Sequence, residues 1–120
     1  MYEKIHLLDP MDYPDFIYLM SECCLVLSDS GGIQEEAPSF DKKVVLLRDT
    51  TERPEGVSAG FVYLSGADET SIISTTLKLL SELRDATSQM NNNMQNPFGD
   101  GNAATRIVAD YKLNMLNRYE

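Results

Sequence analysis

The sequence predicts an α/β fold: a parallel sheet with flanking helices. Two observations carry this expectation. The apolar runs at 25–28 and 43–47 are short and almost unbroken, as parallel strands buried on both faces are. Segments with helical spacing alternate with such runs. Strand, helix, strand, helix, strand therefore fit within residues 4–47, the repeat of a parallel α/β sheet.

The elements follow in order. Residues 4–8 (Lys4-Ile5-His6-Leu7-Leu8) read as a first strand, ended by Asp9-Pro10. His6 would alternate to the face opposite Ile5 and Leu7. No Ser, Cys or carboxylate partner is spaced to make it a catalytic base, so it reads as a sheet-face residue. Asp12 or Asp15 can cap a helix to about residue 22, with Pro14 in its first turn. Phe16, Ile17, Leu19, Met20 and Cys23 form its apolar face. Phe16 lies near the helix start, at the sheet edge, and is also a candidate ligand contact. Residues 25–28 are the second strand, and 33–40 a short helix limited by Pro38. Residues 43–47 are the third strand. A polar loop at 48–56, with Arg48 and Arg53, follows its C-terminal end, the edge where ligands bind in open α/β sheets. A fourth strand at 61–64 closes at Gly66. Asp68 caps a long helix to about residue 89, whose stripe Ile73, Leu77, Leu80 and Leu83 reads as core. An asparagine-rich break at 90–95 and a turn at 96–101 precede a last helix over about 102–117.

Composition bounds the partners. The chain has 120 residues, 42% hydrophobic and 24% charged, which suits one globular, soluble domain. Its formal charge of -9 argues against nonspecific nucleic-acid binding. No apolar run is long enough to cross a membrane, and no basic-then-apolar leader is seen. Cys23 and Cys24 are adjacent, which strains a bridge; they read as reduced core residues, consistent with a cytoplasmic protein. A single histidine argues against a metal cluster of the usual His-rich kind.

The candidate site is Asp29-Ser30-Gly31-Gly32-Ile33-Gln34-Glu35-Glu36. A strand leads into it and a helix leaves it. Such a junction points backbone N–H groups and a helix dipole at one spot, which suits a phosphate. Gly31 and Gly32 remove side chains, so an anion can approach the backbone. Glu36 would repel a phosphate but can accept hydrogen bonds from a sugar diol. A nucleoside diphosphate, with phosphates on Ser30-Gly31-Gly32 and ribose on Glu36, fits this division; a plain strand-to-helix turn is the bland alternative. The Lys-bearing phosphate loop, the dinucleotide glycine fingerprint and the Gly-x-Ser-x-Gly elbow are not present.

The stretch Asp29-Ser30-Gly31-Gly32-Ile33-Gln34-Glu35-Glu36-Ala37-Pro38-Ser39 resembles the C-terminal part of non-hydrolysing UDP-N-acetylglucosamine 2-epimerases. Leu47-Arg48-Asp49-Thr50-Thr51-Glu52-Arg53-Pro54-Glu55, Asn96-Pro97-Phe98-Gly99-Asp100-Gly101, and Asp9-Pro10 followed by Phe16 agree with it. The resemblance implies a Rossmann-like sheet: the truncated C-terminal half of a glycosyltransferase-B-type two-domain fold. Residues 1–120 would then be a partial UDP-binding domain, without the N-terminal catalytic domain. Such enzymes interconvert UDP-N-acetylglucosamine and UDP-N-acetylmannosamine by eliminating UDP and adding it back, without redox cofactor or metal, and feed bacterial surface polysaccharide synthesis.

By the same resemblance, Ser30, Gly31 and Gly32 match the diphosphate turn, Glu36 the ribose contact, Phe16 and Met11 the uracil side, and Arg53 a UDP contact. Met11 stands where some members have Gln. Asp41-Lys42-Lys43 replaces a usual Gly-Lys-Pro turn and Phe98 a usual Tyr, both as scaffold changes. The family's catalytic carboxylates and histidine lie in the missing parts, so no catalytic residue is expected here and the isolated chain is expected to be inactive. Its partners would be UDP or a UDP-N-acetylhexosamine, and a second copy of the chain, through an open strand edge at 5–8 or beside it and the apolar stripe of the last helix. The alternative is a non-catalytic UDP-sugar-binding or self-associating module. The 48–55 loop argues against a different nucleotide-sugar transferase of the same architecture.

Overall fold

The computed structural model describes residues 4–86 and 94–116. Helix α1 (Tyr13–Glu22) leads to strand β1 (Val26–Ser28), helix α2 (Gly31–Glu36) and a 3-10 turn (Ala37–Phe40). Strand β2 (Val44–Leu46), helix α3 (Pro54–Ser58), strand β3 (Val62–Leu64), helix α4 (Glu69–Ala86) and helix α5 (Ala103–Leu116) follow. The strands are parallel in the order β1-β2-β3, with Val26, Val44 and Val62 in register. The expected parallel α/β class is observed.

The centre of the fold is β2. Val44, Val45 and Leu46 are all buried. Strand alternation sends Val44 and Leu46 to one face and Val45 to the other. On the first face they cluster with Met20, Ala37, Phe61 and Val62, and Phe16, Ile17 and Ile33 pack against this cluster. Helix α4 touches β2 and buries Leu79 completely.

Several expectations are corrected. Residues 5–8 form no strand: they are exposed, Leu7 at 95%, because no described strand offers them a ladder partner. His6 is an exposed loop residue rather than a sheet-face one. Of the two places expected for an open edge, β1 has one: among the described strands β1 and β3 each pair with β2 alone, and Leu27 is exposed, so β1 is not buried on both faces. On α4 the buried residue is Leu79, while Ile73 and Leu77 are 50% and 61% exposed. A helix on one sheet face buries a narrower stripe than its apolar count suggests. Cys24 is exposed and only Cys23 is half-buried; both are free thiols. Burial raises the Cys23 pKa, and its Sγ donates to the Met20 carbonyl at 3.1 Å.

Other features match. Asp68 accepts from the Ser71 N–H at 3.0 Å, as an N-cap does. Pro14 lies in the first turn of α1, although Asp12 caps it without a side-chain hydrogen bond. The expected helix at 33–40 begins earlier, at Gly31, and Pro38 lies in the 3-10 turn that ends it. That turn closes on Asp41 at φ 55°, in the left-handed region. This supplies the reason a glycine serves well there: Asp reaches it only against Cβ crowding. The expected ends of the last two helices, and most of the asparagine-rich break, lie outside the described residues.

The turn at 96–101 is pinned at several points. The Phe98 N–H donates to Asn96 Oδ1 at 3.0 Å, and Asn96 Nδ2 donates to Ser39 Oγ at 3.1 Å. Arg106 forks onto Asp100 at 2.9 and 2.6 Å, and the Asn102 N–H adds a bond at 3.0 Å. The guanidinium first, then the amide, lowers the Asp100 pKa from 3.8 to about 2. A depressed folded value means that the pair's contribution is complete above 3.8 and is lost as pH falls through about 2. The first turn of α5 should therefore loosen across that window. Amide shifts of residues 102–106, followed by NMR against pH, should show a transition that Asp100→Asn abolishes.

Candidate functional site

The turn after β1 is built by local chemistry. Ser28 Oγ accepts the Ser30 N–H at 3.1 Å. Ser30 is extended, at φ -75° and ψ 133°, and serves as N-cap of α2 without spending its hydroxyl on the helix. Gly31 and Gly32 then open the helix. A Cβ on Gly32 would meet only Ser30 Oγ, at 3.8 Å, so its backbone faces open space. A Cβ on Gly31 would lie 2.9 Å from Arg53 Nη1. The arginine from the loop after β2 thus covers the first residue of α2, at the end of the turn after β1. The facing of these two loops, expected from their positions at one sheet edge, is observed.

Arg53 is held from two sides. Its Nε donates to Glu35 Oε1, and its Nη1 donates to Glu52 Oε1 at 3.0 Å. Arg48 Nη1 reaches the same Glu52 carboxylate at 3.4 Å. The Glu35 carboxylate, before the other causes, raises the guanidinium pKa further, so Arg53 is a permanent cation. The Glu52 pKa is lowered, first by its own backbone N–H and then by the two arginines. An anion at the turn would meet a charge already shared between carboxylates. An open depression of about 410 Å³ is lined by Arg53 together with Glu35, Glu52, Glu55, Pro97 and Phe98. The 96–101 turn, far along the chain, is thereby brought beside Arg53. The Phe98 ring also packs on Gly56, where a Cβ would lie 3.4 Å from it.

The other expected residues are placed less directly. Glu36 is half-buried at the end of α2, four residues after Gly32 and so on the same helix face. Phe16 packs against the core cluster, and Met11 is half-buried just ahead of α1. Their described contacts put neither against the turn or Arg53. Gln34 and Thr51, which the sequence places in the candidate stretches without a role of their own, meet at the site. Gln34 is completely buried. Its Oε1 accepts from the Thr51 hydroxyl at 2.6 Å. The available signal was a glutamine one helical turn after Ser30, flanked by Ile33 and Ala37 on a face that must be core.

The fold and this turn define a parallel α/β domain carrying a glycine-rich strand-to-helix junction covered by an arginine from the loop after β2. Comparison with known proteins narrows it. A family model described as UDP-N-acetylglucosamine 2-epimerase matches residues 1–112, and the chain belongs to that family. It is 44% identical over 115 residues to the UDP-N-acetylglucosamine 2-epimerase of Escherichia coli strain K12, covering 96% of this chain and 30% of that protein. It is 51% identical over 105 residues to the Neisseria meningitidis enzyme, covering 88% and 28%. Among solved structures, the N. meningitidis 2-epimerase bound to UDP-GlcNAc superposes with a TM-score of 0.75 at 49% identity, over 87% of this chain and 28% of that one. The Methanocaldococcus jannaschii 2-epimerase, in complex with UDP-GlcNAc and UDP, superposes with a TM-score of 0.73 at 35% identity, over 92% and 28%. The chain thus spans about 30% of the length of the curated relatives it matches. Among the described residues, no helix is long and apolar enough to cross a membrane.

Proposed function

We propose that this chain supplies the UDP-binding half-site for the interconversion of UDP-N-acetylglucosamine and UDP-N-acetylmannosamine. Ser30, Gly31, Gly32 and Arg53 hold the diphosphate, Glu36 the ribose, and Phe16 and Met11 flank the uracil. The observation that carries this reading is the Arg53 guanidinium lying over Gly31 at the mouth of the turn. A helix start leaves its first backbone N–H groups without intrahelical partners, and with the Arg53 cation over Gly31 these are the donors a diphosphate needs. The N. meningitidis and M. jannaschii structures, solved with UDP-GlcNAc bound, support the ligand class. UDP is the leaving group of the elimination, so these residues stabilise the charge it gains.

Calorimetric titration of UDP tests the reading. The 120-residue wild-type chain should bind UDP measurably. Ser30→Ala and Glu36→Ala should each weaken binding about tenfold, the worth of one charge-assisted hydrogen bond. Equal affinity in all three proteins would remove the assignment. Incubation with UDP-N-acetylglucosamine should yield no UDP-N-acetylmannosamine.

Self-association is a second reading with its own observation. Helix α5 is exposed over 103–114, with Ile107 and Tyr111 at 68% and 63%. With the open edge of β1, this leaves apolar surface for a second copy. Sedimentation equilibrium should detect a dimer, and Ile107→Lys should dissociate it; a monomer at high concentration would dismiss the idea.

A further inference from the structure

We propose that Gln34 and Thr51 are positioning residues that tie Arg53 to the Ser30 turn through a partly buried hydrogen-bond relay. The inference rests on the UDP reading of that turn.

The relay runs through one polar side chain with no access to water. Gln34 is 0% exposed, and a buried amide is costly unless its groups are paired. Its Nε2 donates to the Ser30 carbonyl at 3.4 Å, and its Oε1 accepts from the Thr51 hydroxyl at 2.6 Å. Thr51 Oγ1 in turn accepts the Arg53 backbone N–H at 3.0 Å. The directions are mutually consistent. Thr51 receives the Arg53 proton on oxygen and so turns its own proton to Gln34, which directs Oε1 to Thr51 and Nε2 to Ser30.

The geometry explains why the site uses a polar residue here. An apolar residue would fill the same space in α2 and avoid burying an amide. The amide instead joins two loops from different strand ends, Ser30 after β1 and Thr51-Arg53 after β2. Neither loop has a ladder bond to the other. Without the relay, the backbone of Arg53 would keep its chain connection and the bond its carbonyl accepts from the Gly56 N–H at 3.2 Å, none of which reaches the Ser30 turn, and its guanidinium would be held by exposed carboxylates. A cation that must meet a phosphate within hydrogen-bond distance loses its effect when displaced by about 1 Å. Gln34 and Thr51 touch no ligand in this scheme; they act through Arg53 and the turn.

Thr51→Val tests the relay, because valine keeps the shape and removes the hydroxyl. Two measurements on the full 120-residue chain are needed. In hydrogen exchange by NMR, the Arg53 amide should exchange about tenfold faster in Thr51→Val, with the β2 amides unchanged, and Thr51→Ser should restore protection. In UDP titration, Thr51→Val should lose about tenfold in affinity, Thr51→Ser should recover it, and Thr51→Val should add little to Arg53→Ala in a double-mutant cycle. Gln34→Leu should follow Thr51→Val wherever it folds. Unchanged exchange of the Arg53 amide, or full additivity with Arg53→Ala, would overturn the relay. A wild-type chain that binds no UDP would instead defeat the UDP reading, and the exchange measurement would still decide whether the relay exists.

Discussion

Phe61→Ala should cost the chain most of its stability, about 3–5 kcal/mol as for other buried aromatic truncations. Phe61 is 1% exposed and lies in the cluster formed by Met20, Ala37, Val44, Leu46 and Val62. Its backbone is fixed too: its carbonyl accepts the Val44 N–H at 2.7 Å, and its N–H donates to the Gly56 carbonyl at 3.0 Å. The ring cannot be replaced by sliding the chain, so truncation leaves a cavity under β2. With a stability of about 5–15 kcal/mol expected for a domain, the variant should be marginal. Urea unfolding followed by circular dichroism checks this, with Leu77→Ala as the contrast. Leu77 is 61% exposed on α4 and should change stability by no more than about 0.5 kcal/mol. A large loss at Leu77 and a small one at Phe61 would mean that α4 packs by the other stripe.

Arg53→Ala should give the largest loss at the candidate site, about tenfold to a hundredfold in UDP affinity, the range for a charge-assisted contact to phosphate. The same geometry predicts a gain. Glu35 and Glu52 hold the guanidinium, so a phosphate must compete with them. Glu35→Gln keeps the shape and reduces that competition, and should tighten UDP binding severalfold. Gly31→Ala probes the arginine from below. The added methyl would lie 2.9 Å from Nη1, the far end of a flexible side chain, so the guanidinium moves rather than the backbone. Thermal stability should hardly change while UDP binding weakens. Titration of the three variants side by side checks all of this. If Arg53→Ala and Gly31→Ala bind as wild type, the cation over the turn serves packing alone.

What was legible in the sequence was what neighbouring residues decide. Short apolar runs announced β1, β2 and β3, and Asp68 and Pro14 announced the starts of α4 and α1. Gly31-Gly32 after a strand announced the turn. The family could be read from residue strings as well, because the loop sequences that resemble it need no coordinates. The short helix α3 within the 48–56 loop was hidden, since Arg53-Pro54-Glu55-Gly56 reads equally well as a loop.

Tertiary structure alone decided burial and partnership. Val-Leu runs at β1 and β2 look alike, yet β2 is buried because it lies between two strands, and β1 is an edge. Residues 5–8 have strand composition but no described neighbour to bond. Leu79 rather than Leu77 faces the sheet because the sheet covers only part of α4. Gln34, Thr51 and Arg53 become one unit only when two loops meet at the same sheet edge. Periodicity and turn chemistry act over a few residues, whereas a ladder partner, a buried face and a relay depend on residues 17 or more positions apart.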